Sequence, residues 1–468
     1  MTHPLPQFRR DRWLELDRWH DGRCTFRIPD EWDVRTLIRF GAVDWRATVF
    51  LDGELLGTHE GGYTHFTFDA GRLAPASEHE LVLEVFDPDD DWFGQPKGKQ
   101  RGSHGIWYTR TTGIWRPVWI EAVPEDYLRE VVVDASPDGG VRLNGTTVAQ
   151  IDEPRLWSPD DPFLYDVELR HGDDVVHSYV GFRTIERRGR ALYLNGEPLR
   201  VAGVLDQGYW PETGYSATDE QLRADVEAAR ALGFNLARKH VKVEDPRWYA
   251  WCDRLGLLVA QDMPSSHDLS SDEARVRFER EWLEIVAQLR AHPSVVLWIP
   301  FNENWGDPSP DFQRGLVRAT RAADPTRLVI DASGWNQLED TDLVDVHDYG
   351  AALTGHLGAR DDLPLWFGEL GGVSLGTRAG NVGGQAADAQ PKEPAAFGGA
   401  GEFAYRHVDD LAAAYRSLVE QIPDEVAGFV WTQLADVEQE QNGLLTAGRR
   451  PKTDPEAIRR VNEAFLRA

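Results

Sequence analysis

The sequence of 468 residues has little cysteine, methionine or lysine: it contains two cysteines, two methionines and six lysines. Cys24 and Cys252 lie far apart in the chain, which argues against a disulfide framework and favours a reducing compartment. No apolar run approaches the ~20 residues of a membrane helix, and the N-terminus lacks the charged-then-apolar pattern of a secretory signal. We therefore predict a cytoplasmic protein that does not enter a membrane.

Basic residues are also outnumbered by acidic ones, 50 to 78, which gives a formal net charge of -28. Such a charge argues against nucleic acid and anionic membranes as partners. The sequence contains no phosphate-binding loop, no His/Cys cluster with metal-ligand spacing and no nucleophile elbow. We therefore predict neither a cofactor nor a metal. A homo-oligomer stays an open alternative to a monomer.

Two regions of short predicted strands occupy the first part of the chain. Residues 1–123 contain many short apolar or alternating runs separated by turn signals, such as the hairpin signal Asp52-Gly53. Residues 124–186 repeat this pattern over a shorter length, with a proline-rich corner at 152–162. Because no helical periodicity interrupts the runs, we predict two all-β domains of sandwich type, both short.

From residue 187 onward, predicted strands alternate with predicted helices. A capping box at Thr218–Gln221 indicates the start of the first helix. Eight strands over about 280 residues predict a (β/α)8 barrel spanning 187–468, with its active site at the C-terminal ends of the strands. The predicted strands lie at 198–204, 234–238, 257–261, 295–300, 327–331, 343–347, 365–368 and 427–431. The later helices are predicted at 246–255, 271–291, 309–323, 404–421 and 454–466.

Two of these strands end directly in a glutamate. The apolar run that begins at Val295 stops at Pro300 and opens into a polar turn that contains Glu303. The run that begins at Leu363 ends in Glu369, which glycines follow. Two carboxylates that face each other across a pocket are what cleavage of a glycosidic bond requires. Glu303 and Glu369 are therefore the predicted catalytic pair.

Other polar and aromatic residues follow the same strand ends. We expect Arg238 to hold Glu369 ionised through its charge and its hydrogen bonds, and His347 or Tyr349 to donate a hydrogen bond to Glu369. His240 is either part of the sugar subsite or a satisfied core histidine. The predicted substrate-binding residues, as a set, are Asn302, Asp206, Arg238, His240, His347, Tyr349 and Trp431.

At this point the sequence resembles glycoside hydrolase family 2, the β-galactosidase, β-glucuronidase and β-mannosidase family. Phe301-Asn302-Glu303 matches the family's acid/base motif, and 368–372 matches its nucleophile motif, with Leu370 where many members have phenylalanine. Residues 105–119 resemble the end of the family's N-terminal jelly roll, and 156–159 its immunoglobulin-like domain. Residues 203–210 and 238–240 resemble a less characterised branch.

The resemblance implies a fold, a mechanism and a substrate class. The fold is a jelly-roll sandwich, an immunoglobulin-like sandwich and a TIM barrel. The mechanism is retaining double displacement, in which Glu369 is the nucleophile, Glu303 the acid/base and Asn302 a contact to the sugar 2-hydroxyl. A negative neighbour is expected to raise the pKa of Glu303. The substrate is a terminal β-linked sugar, with a β-galactosidase-like exo activity favoured.

Two alternatives accompany this interpretation. A β-glucuronidase is the second, because Arg238, Lys239 and Lys242 cluster near the predicted pocket, where a sugar carboxylate can meet them. A catalytically weak or inactive carbohydrate-binding paralogue is the third, because the N-terminal domain is short between Leu16 and Phe26 and the immunoglobulin-like region is short as well. Retention of both glutamates and Asn302 argues against the paralogue.

The stretch that follows the nucleophile is rich in glycine and alanine. Residues 376–400 have neither helical nor strand periodicity and are long for a barrel connection. Because the stretch leaves the strand that carries Glu369, we predict a mobile loop at the pocket mouth, with an insertion of no functional role as the equal alternative.

Overall fold

The computed structural model describes residues 8–9, 12–88, 94–129, 131–349, 353–356, 360, 362–375 and 406–468. The loop predicted at 376–400 lies outside the described residues. Among the helices that the structure describes, none has the length and apolar character needed to cross a bilayer.

The first region is built from two antiparallel four-stranded sheets, in the orders β1-β12-β3-β7 and β2-β8-β5-β6. Their facing sides share one core, to which Ile38 of one sheet and Val49 and Leu81 of the other contribute. Asp52 and Gly53, both at positive φ, join β5 to β6, so the predicted hairpin is confirmed. The strands are β1 Trp13–Glu15, β2 Arg23–Arg27, β3 Arg35–Phe40, β4 Val43–Asp44, β5 Arg46–Leu51, β6 Glu54–Glu60, β7 Phe66–Arg72, β8 Glu78–Phe86, β9 Gln100–Arg101, β10 Tyr108–Thr109, β11 Gly113–Ile114 and β12 Val118–Val123.

A smaller β region follows. A three-stranded sheet, β13-β14-β15, and the pair β16-β17 enclose a core that includes Val133, Val141, Leu169 and Val176. The strands are β13 Val133–Ala135, β14 Gly140–Leu143, β15 Thr146–Gln150, β16 Tyr165–His171 and β17 Asp174–Val180.

A small sheet that the sequence pattern did not predict leads into the barrel. It consists of β18 Ile185–Arg188, β19 Ala191–Leu194 and β20 Glu197–Leu199. Leu192 and Leu194 share an apolar cluster with Leu236 and Leu258, the first residues of two barrel strands. The sheet therefore covers the N-terminal end of the barrel, away from the predicted active site.

Eight parallel strands form the barrel, in the order β25-β24-β23-β22-β21-β30-β27-β26. Consecutive barrel strands pair with each other except β25 and β26, which stand at the two ends of this order, and the first strand pairs with the eighth, as in a curled (β/α)8 sheet. The strands are β21 Val201–Asp206, β22 Leu236–Lys239, β23 Leu258–Asp262, β24 Val295–Ile299, β25 Leu328–Val329, β26 Val344–Asp348, β27 Leu365–Gly371 and β30 Gly428–Thr432. The pair β28 Val373–Leu375 and β29 Arg406–Val408 lies beside this sheet.

Helices lie between the barrel strands. Thr218 and Gln221 form the predicted capping box at the start of α1. The helix predicted at 404–421 is shorter, because residues 406–408 pair with β28 and Asp410 caps the helix that follows. The helices are α1 Asp219–Ala231, α2 Pro246–Leu255, α3 Asp272–Leu289, α4 Pro310–Ala323, α5 Leu411–Val419 and α6 Pro455–Arg467, with a 3-10 turn at Leu353–His356.

The first β region packs directly on the barrel. The buried Arg116 guanidinium donates to the carbonyl of Tyr63 at 2.8 Å and to that of Val243, beyond β22, at 2.7 Å. Glu281 of α3 accepts a hydrogen bond from the backbone N–H of Tyr63 at 3.0 Å. Residues of the first region are thereby held beside the C-terminal ends of the barrel strands.

Candidate active site

Glu303 lies in the turn that follows β24. Its backbone has φ 48 and that of Asn304 has φ 58, a left-handed conformation that is uncommon outside glycine. The N–H of Glu303 donates to the carbonyl of Ser333 at 3.0 Å, which fixes this turn against the segment after β25. The structure thus directs the Glu303 side chain with a strained turn rather than with a regular element.

Glu369 lies within β27 and is almost fully buried. Its Oε2 accepts a hydrogen bond from the hydroxyl of Tyr349 at 2.6 Å. Its Oε1 accepts one from Arg238 Nη1 at 3.3 Å. The expected contacts of Arg238 and Tyr349 to Glu369 are therefore present in the structure.

The imidazole of His347, on β26, lies between the two glutamates. Its Nδ1 is 2.7 Å from Glu303 Oε1 and 3.6 Å from Glu369 Oε1. One carboxylate oxygen of each glutamate and a ring nitrogen of His347 all lie within 4.8 Å of one another. The two strand-end carboxylates therefore face each other across one small space.

Arg238, on β22, is fully buried at the centre of a polar network. Its Nε and Nη2 bind Asp262 at 3.0 and 2.9 Å. Its Nη2 also donates to Asn302 Oδ1 at 2.8 Å and to Ser333 Oγ at 2.9 Å. One guanidinium thus orients Glu369 and Asn302 together, with Asp262 as its bidentate counter-ion.

The three central groups have shifted pKa values. Burial favours the neutral form of Glu369, but the charges of His347, His240 and Arg238 outweigh it and lower the pKa of that carboxyl. Burial likewise opposes ionisation of Glu303, yet the hydrogen bond and charge of His347 lower its pKa. The expectation of a raised pKa at Glu303 is therefore wrong for this structure. Burial opposes the charge of His347, but Glu369 and Glu303 raise its pKa.

The same three residues form the one group in the described ranges with the spacing of metal ligands. Nδ1 of His347 is already bonded to Glu303, and both oxygens of Glu369 accept hydrogen bonds from Tyr349 and Arg238. These contacts favour proton chemistry between the groups over coordination of a cation.

Two further predicted residues lie close to this centre. His240 Nδ1 is 3.0 Å from Asp262 Oδ2 and 3.9 Å from Glu369 Oε1. Burial, followed by the charge of Lys99, lowers the pKa of His240 well below its usual value. Asn302 is buried with its Oδ1 on Arg238, while its Nδ2 has no hydrogen-bond partner among the residues that the structure describes. That amide N–H is available to a ligand oxygen.

The remaining predicted residues make other contacts. Asp206 Oδ2 binds Lys239 Nζ at 2.6 Å in a buried charge cluster that also holds Glu244 and Lys242. Trp431, on β30, is fully buried and packs on Tyr415 of α5, with ring centroids 4.5 Å apart. The structure therefore brings together seven of the predicted residues: Glu303, Glu369, Asn302, Arg238, His240, His347 and Tyr349. The other two lie beside this group, Asp206 in the buried charge cluster and Trp431 in the contact between β30 and α5.

Several residues of the site were not predicted from the sequence. Trp305 donates from Nε1 to Glu303 Oε2 at 3.2 Å, and its position two residues after Glu303 in the same turn was the available signal. Asp262, at the end of β23, followed the strand-end rule but was not among the predicted site residues. Lys99 and Trp107 come from the first β region, which a rule based on barrel strands cannot reach.

Comparison with protein families gives two matches. The model described as "Glycosyl hydrolases family 2, TIM barrel domain" matches residues 185–349, and the model "Glycosyl hydrolases family 2" matches residues 119–183. The chain belongs to glycoside hydrolase family 2. The first match includes the Phe301-Asn302-Glu303 motif, and the second covers the smaller β region.

Individual relatives are distant and longer than the chain. A β-galactosidase of Thermoanaerobacter pseudethanolicus is 26% identical over 401 residues, which cover 74% of this chain and 52% of that protein. A "Beta-galactosidase 2" of Enterobacter cloacae is 31% identical over 227 residues, covering 46% and 22%. The chain thus spans about half the length of the first of these relatives and less of the second.

Solved structures share the fold. A β-glucuronidase from Ruminococcus gnavus in complex with D-glucuronic acid superposes with a TM-score of 0.76 at 19% identity, covering 95% of this chain and 87% of that one. A family 2 β-galacturonidase from Eisenbergiella tayi bound to galacturonate gives 0.74 at 18% identity, covering 95% and 90%. These likenesses support a (β/α)8 barrel preceded by all-β regions.

Proposed function

We propose that the chain is a retaining, exo-acting β-glycosidase that hydrolyses terminal β-linked sugars by double displacement. The observation that carries the proposal is the approach of the two carboxylates: one oxygen of Glu303 and one of Glu369 lie within 4.8 Å of each other. Retaining enzymes hold their carboxyl groups ~5 Å apart, whereas inverting enzymes need a wider gap for a water molecule.

In the first step, Glu369 attacks the anomeric carbon as the bond to the leaving oxygen breaks. The lowered pKa of Glu369 supports its role as an ionised nucleophile. Tyr349 is 42% exposed whereas Arg238 is fully buried, so Oε2, the oxygen held by Tyr349, faces the pocket. Oε2 is therefore the oxygen that forms the glycosyl bond, while Oε1 stays on Arg238.

Glu303 gives a proton to the leaving oxygen in this step. His347 Nδ1, 2.7 Å from Glu303, is the group from which Glu303 takes that proton. In the second step Glu303 accepts a proton from water, the water attacks the anomeric carbon, and Glu369 is released with the original anomeric configuration restored. Asn302 Nδ2, which is unpartnered within the described part of the chain, donates to a sugar hydroxyl.

A neutral sugar, galactose or a close relative, is the favoured substrate. Among the described residues, four cations near the pocket each have a carboxylate partner, so none of these four is free for a sugar carboxylate. Lys239 and Lys242 are buried and paired with Asp206 and Glu244, which argues against their binding a uronate. The pairs are Arg238–Asp262 at 2.9 Å, Lys239–Asp206 at 2.6 Å, Lys242–Glu244 at 2.9 Å and Lys99–Glu440 at 3.5 Å.

A β-glucuronidase remains the second candidate, because solved family members with this fold are named for uronates. An inactive carbohydrate-binding paralogue is the third. We also propose the division into a jelly-roll domain at 1–123, an immunoglobulin-like domain at 124–186 and the barrel at 187–468; the first boundary follows β12, and the second falls within β18 of the small sheet that leads into the barrel.

A panel of nitrophenyl glycosides tests the proposal. We expect turnover of a β-galactoside or a related neutral β-glycoside, with the β-anomer as the first product by proton NMR. Glu369→Gln is expected to abolish turnover with an unchanged melting temperature. Activity on α-linked substrates alone, or an α-anomer as first product, contradicts the mechanism. Turnover of β-glucuronide alone selects the second candidate, and binding of sugar without turnover selects the third.

A further inference from the structure

The two oxygens of Glu303 face different surroundings. Oε1 is bonded to His347, whose Nδ1 is also 3.6 Å from the nucleophile Glu369. Oε2 accepts the hydrogen bond from Trp305 Nε1 at 3.2 Å. The side of the pocket at Oε1 is therefore shared with the nucleophile Glu369, and the side at Oε2 is bordered by the indole of Trp305.

Trp305 belongs to a cluster of three rings, here called the aromatic wall: Trp107, His267 and Trp305. The ring centroids of Trp107 and Trp305 are 5.0 Å apart, and those of Trp107 and His267 are 4.6 Å apart. His267 stacks on Trp305 with centroids 5.5 Å apart. Trp305 is buried, whereas Trp107 and His267 are partly exposed, so the wall reaches from the acid/base to solvent.

Trp107 comes from the first β region, in the segment between β9 and β10. Its backbone forms a two-way bridge with His104, at 2.9 and 3.1 Å. Gln439, which follows β30, donates to the carbonyls of Trp107 and Gly105 at 2.7 and 2.8 Å. These contacts fix the backbone of Trp107. Its indole is held by the rings of Trp305 and His267 and by the Arg101 guanidinium, which lies 5.0 Å from the ring centroid.

We propose that the aromatic wall is the leaving-group subsite and that Trp107 selects leaving groups that contain a ring, either aryl or glycosyl. The proposal rests on the proposed function. A proton donor must lie within hydrogen-bond distance of the leaving oxygen, so the leaving group lies at Glu303 and departs on the side away from Glu369. On that side the leaving group meets the rings that border Oε2. A flat ring in the leaving group can stack on an indole.

The experiment compares substrates that share one β-linked sugar and differ in the leaving group: methyl, nitrophenyl and a second sugar. The readout is the ratio of kcat/KM for each ring-bearing substrate to that for the methyl glycoside, which cancels general losses of activity. We expect Trp107→Ala to lower this ratio roughly 3- to 10-fold, and Trp107→Phe to retain most of it.

Trp19→Ala is the matched control, because Trp19 is a partly exposed tryptophan of the same β region that packs on Phe40. Its ratio is expected to equal that of the unmodified protein. A fall for nitrophenyl alone assigns the subsite to aryl groups, and a fall for the disaccharide alone assigns it to sugars. An unchanged ratio in Trp107→Ala overturns the inference while the proposed function stands. If the unmodified protein cleaves none of the substrates, both are overturned.

Discussion

His347 Nδ1 lies 2.7 Å from Glu303 Oε1, and the same nitrogen is 3.6 Å from Glu369 Oε1. One imidazole therefore couples the ionisation of both carboxylates. Each glutamate raises the pKa of His347, and His347 lowers the pKa of each glutamate. In the proposed mechanism, the proton that Glu303 delivers is shared with His347, while Glu369 stays ionised.

The first prediction concerns this shared proton. In His347→Gln the proton must be held by Glu303 alone, because glutamine does not titrate. The alkaline limb of the pH profile of kcat/KM, which reports loss of the acid's proton, is expected to move to lower pH. At pH 8 we expect kcat/KM to fall at least ~10-fold. His79→Gln is the control, since His79 makes a similar 2.7 Å contact to Asp52 far from the site. An unchanged alkaline limb would show that His347 does not supply the proton.

The second prediction separates the roles of the two glutamates. A nitrophenolate is a stable anion and leaves without a proton. An alkoxide is a poor leaving group and must be protonated as it departs. Glu303→Gln is therefore expected to keep much more of its kcat/KM on nitrophenyl than on methyl glycosides, because general acid catalysis contributes ~10²–10⁴-fold. Glu369→Gln is expected to lose activity on both equally. Equal losses in Glu303→Gln would mean that Glu303 is not the acid.

Much of this site follows from the sequence, because parallel strands of a barrel all end on one face. That rule alone brought Glu303, Glu369, Arg238 and His347 together. It cannot show which strand-end charges neutralise each other. Lys239 looked available for a substrate, but it is buried against Asp206.

Site residues from outside the barrel could not be predicted from the sequence, for a different reason. Trp107 and Lys99 lie some two hundred residues before Glu303, and only the packing of the first β region on the barrel brings them to the pocket. Similarly, the periodicity of 404–421 favoured one long helix. The pairing of β29 with β28 overrides the first turns of that helix.

The third prediction tests how Arg238 orients Glu369, the proposed nucleophile. Its guanidinium binds Asp262 through two nitrogens and also reaches Glu369 and Asn302, a fork that a lysine ammonium cannot reproduce. Arg238 lowers the pKa of Glu369, so Arg238→Lys is expected to move the acid limb of kcat/KM to higher pH and to lower kcat ~10²-fold or more.

Arg183→Lys is the matched control for this variant. Arg183 is another buried arginine, but it binds the backbone carbonyls of Pro293 and Val295 at the opposite end of the barrel. Both variants are expected to lower the melting temperature, and Arg238→Lys alone to shift the acid limb. A shift of equal size in both would refute a specific role of Arg238 at Glu369.

The last prediction concerns Glu281, a fully buried carboxyl at the contact between the first β region and α3. Burial, together with the charges of Glu284 and Asp44, raises its pKa to about 8 from a usual value of 4.5. The folded state binds the proton of Glu281 more tightly than the unfolded chain does. The stability that this binding contributes is complete below pH 4.5 and is lost as the pH rises through 8. Stability should therefore decline between these two values.

Glu281→Gln removes this titration but keeps an oxygen that accepts the N–H of Tyr63, a bond of 3.0 Å in the unmodified protein. We expect its melting temperature to exceed that of the unmodified protein by several degrees at pH 9, equivalent to a few kcal/mol, and by little at pH 4.5. Glu273→Gln, an exposed glutamate of the same helix, is the control and should show no such divergence. An equal difference in melting temperature between Glu281→Gln and the unmodified protein at both pH values would contradict the raised pKa. Glu281 would then be ionised in the folded state, as a buried charge between the first β region and α3.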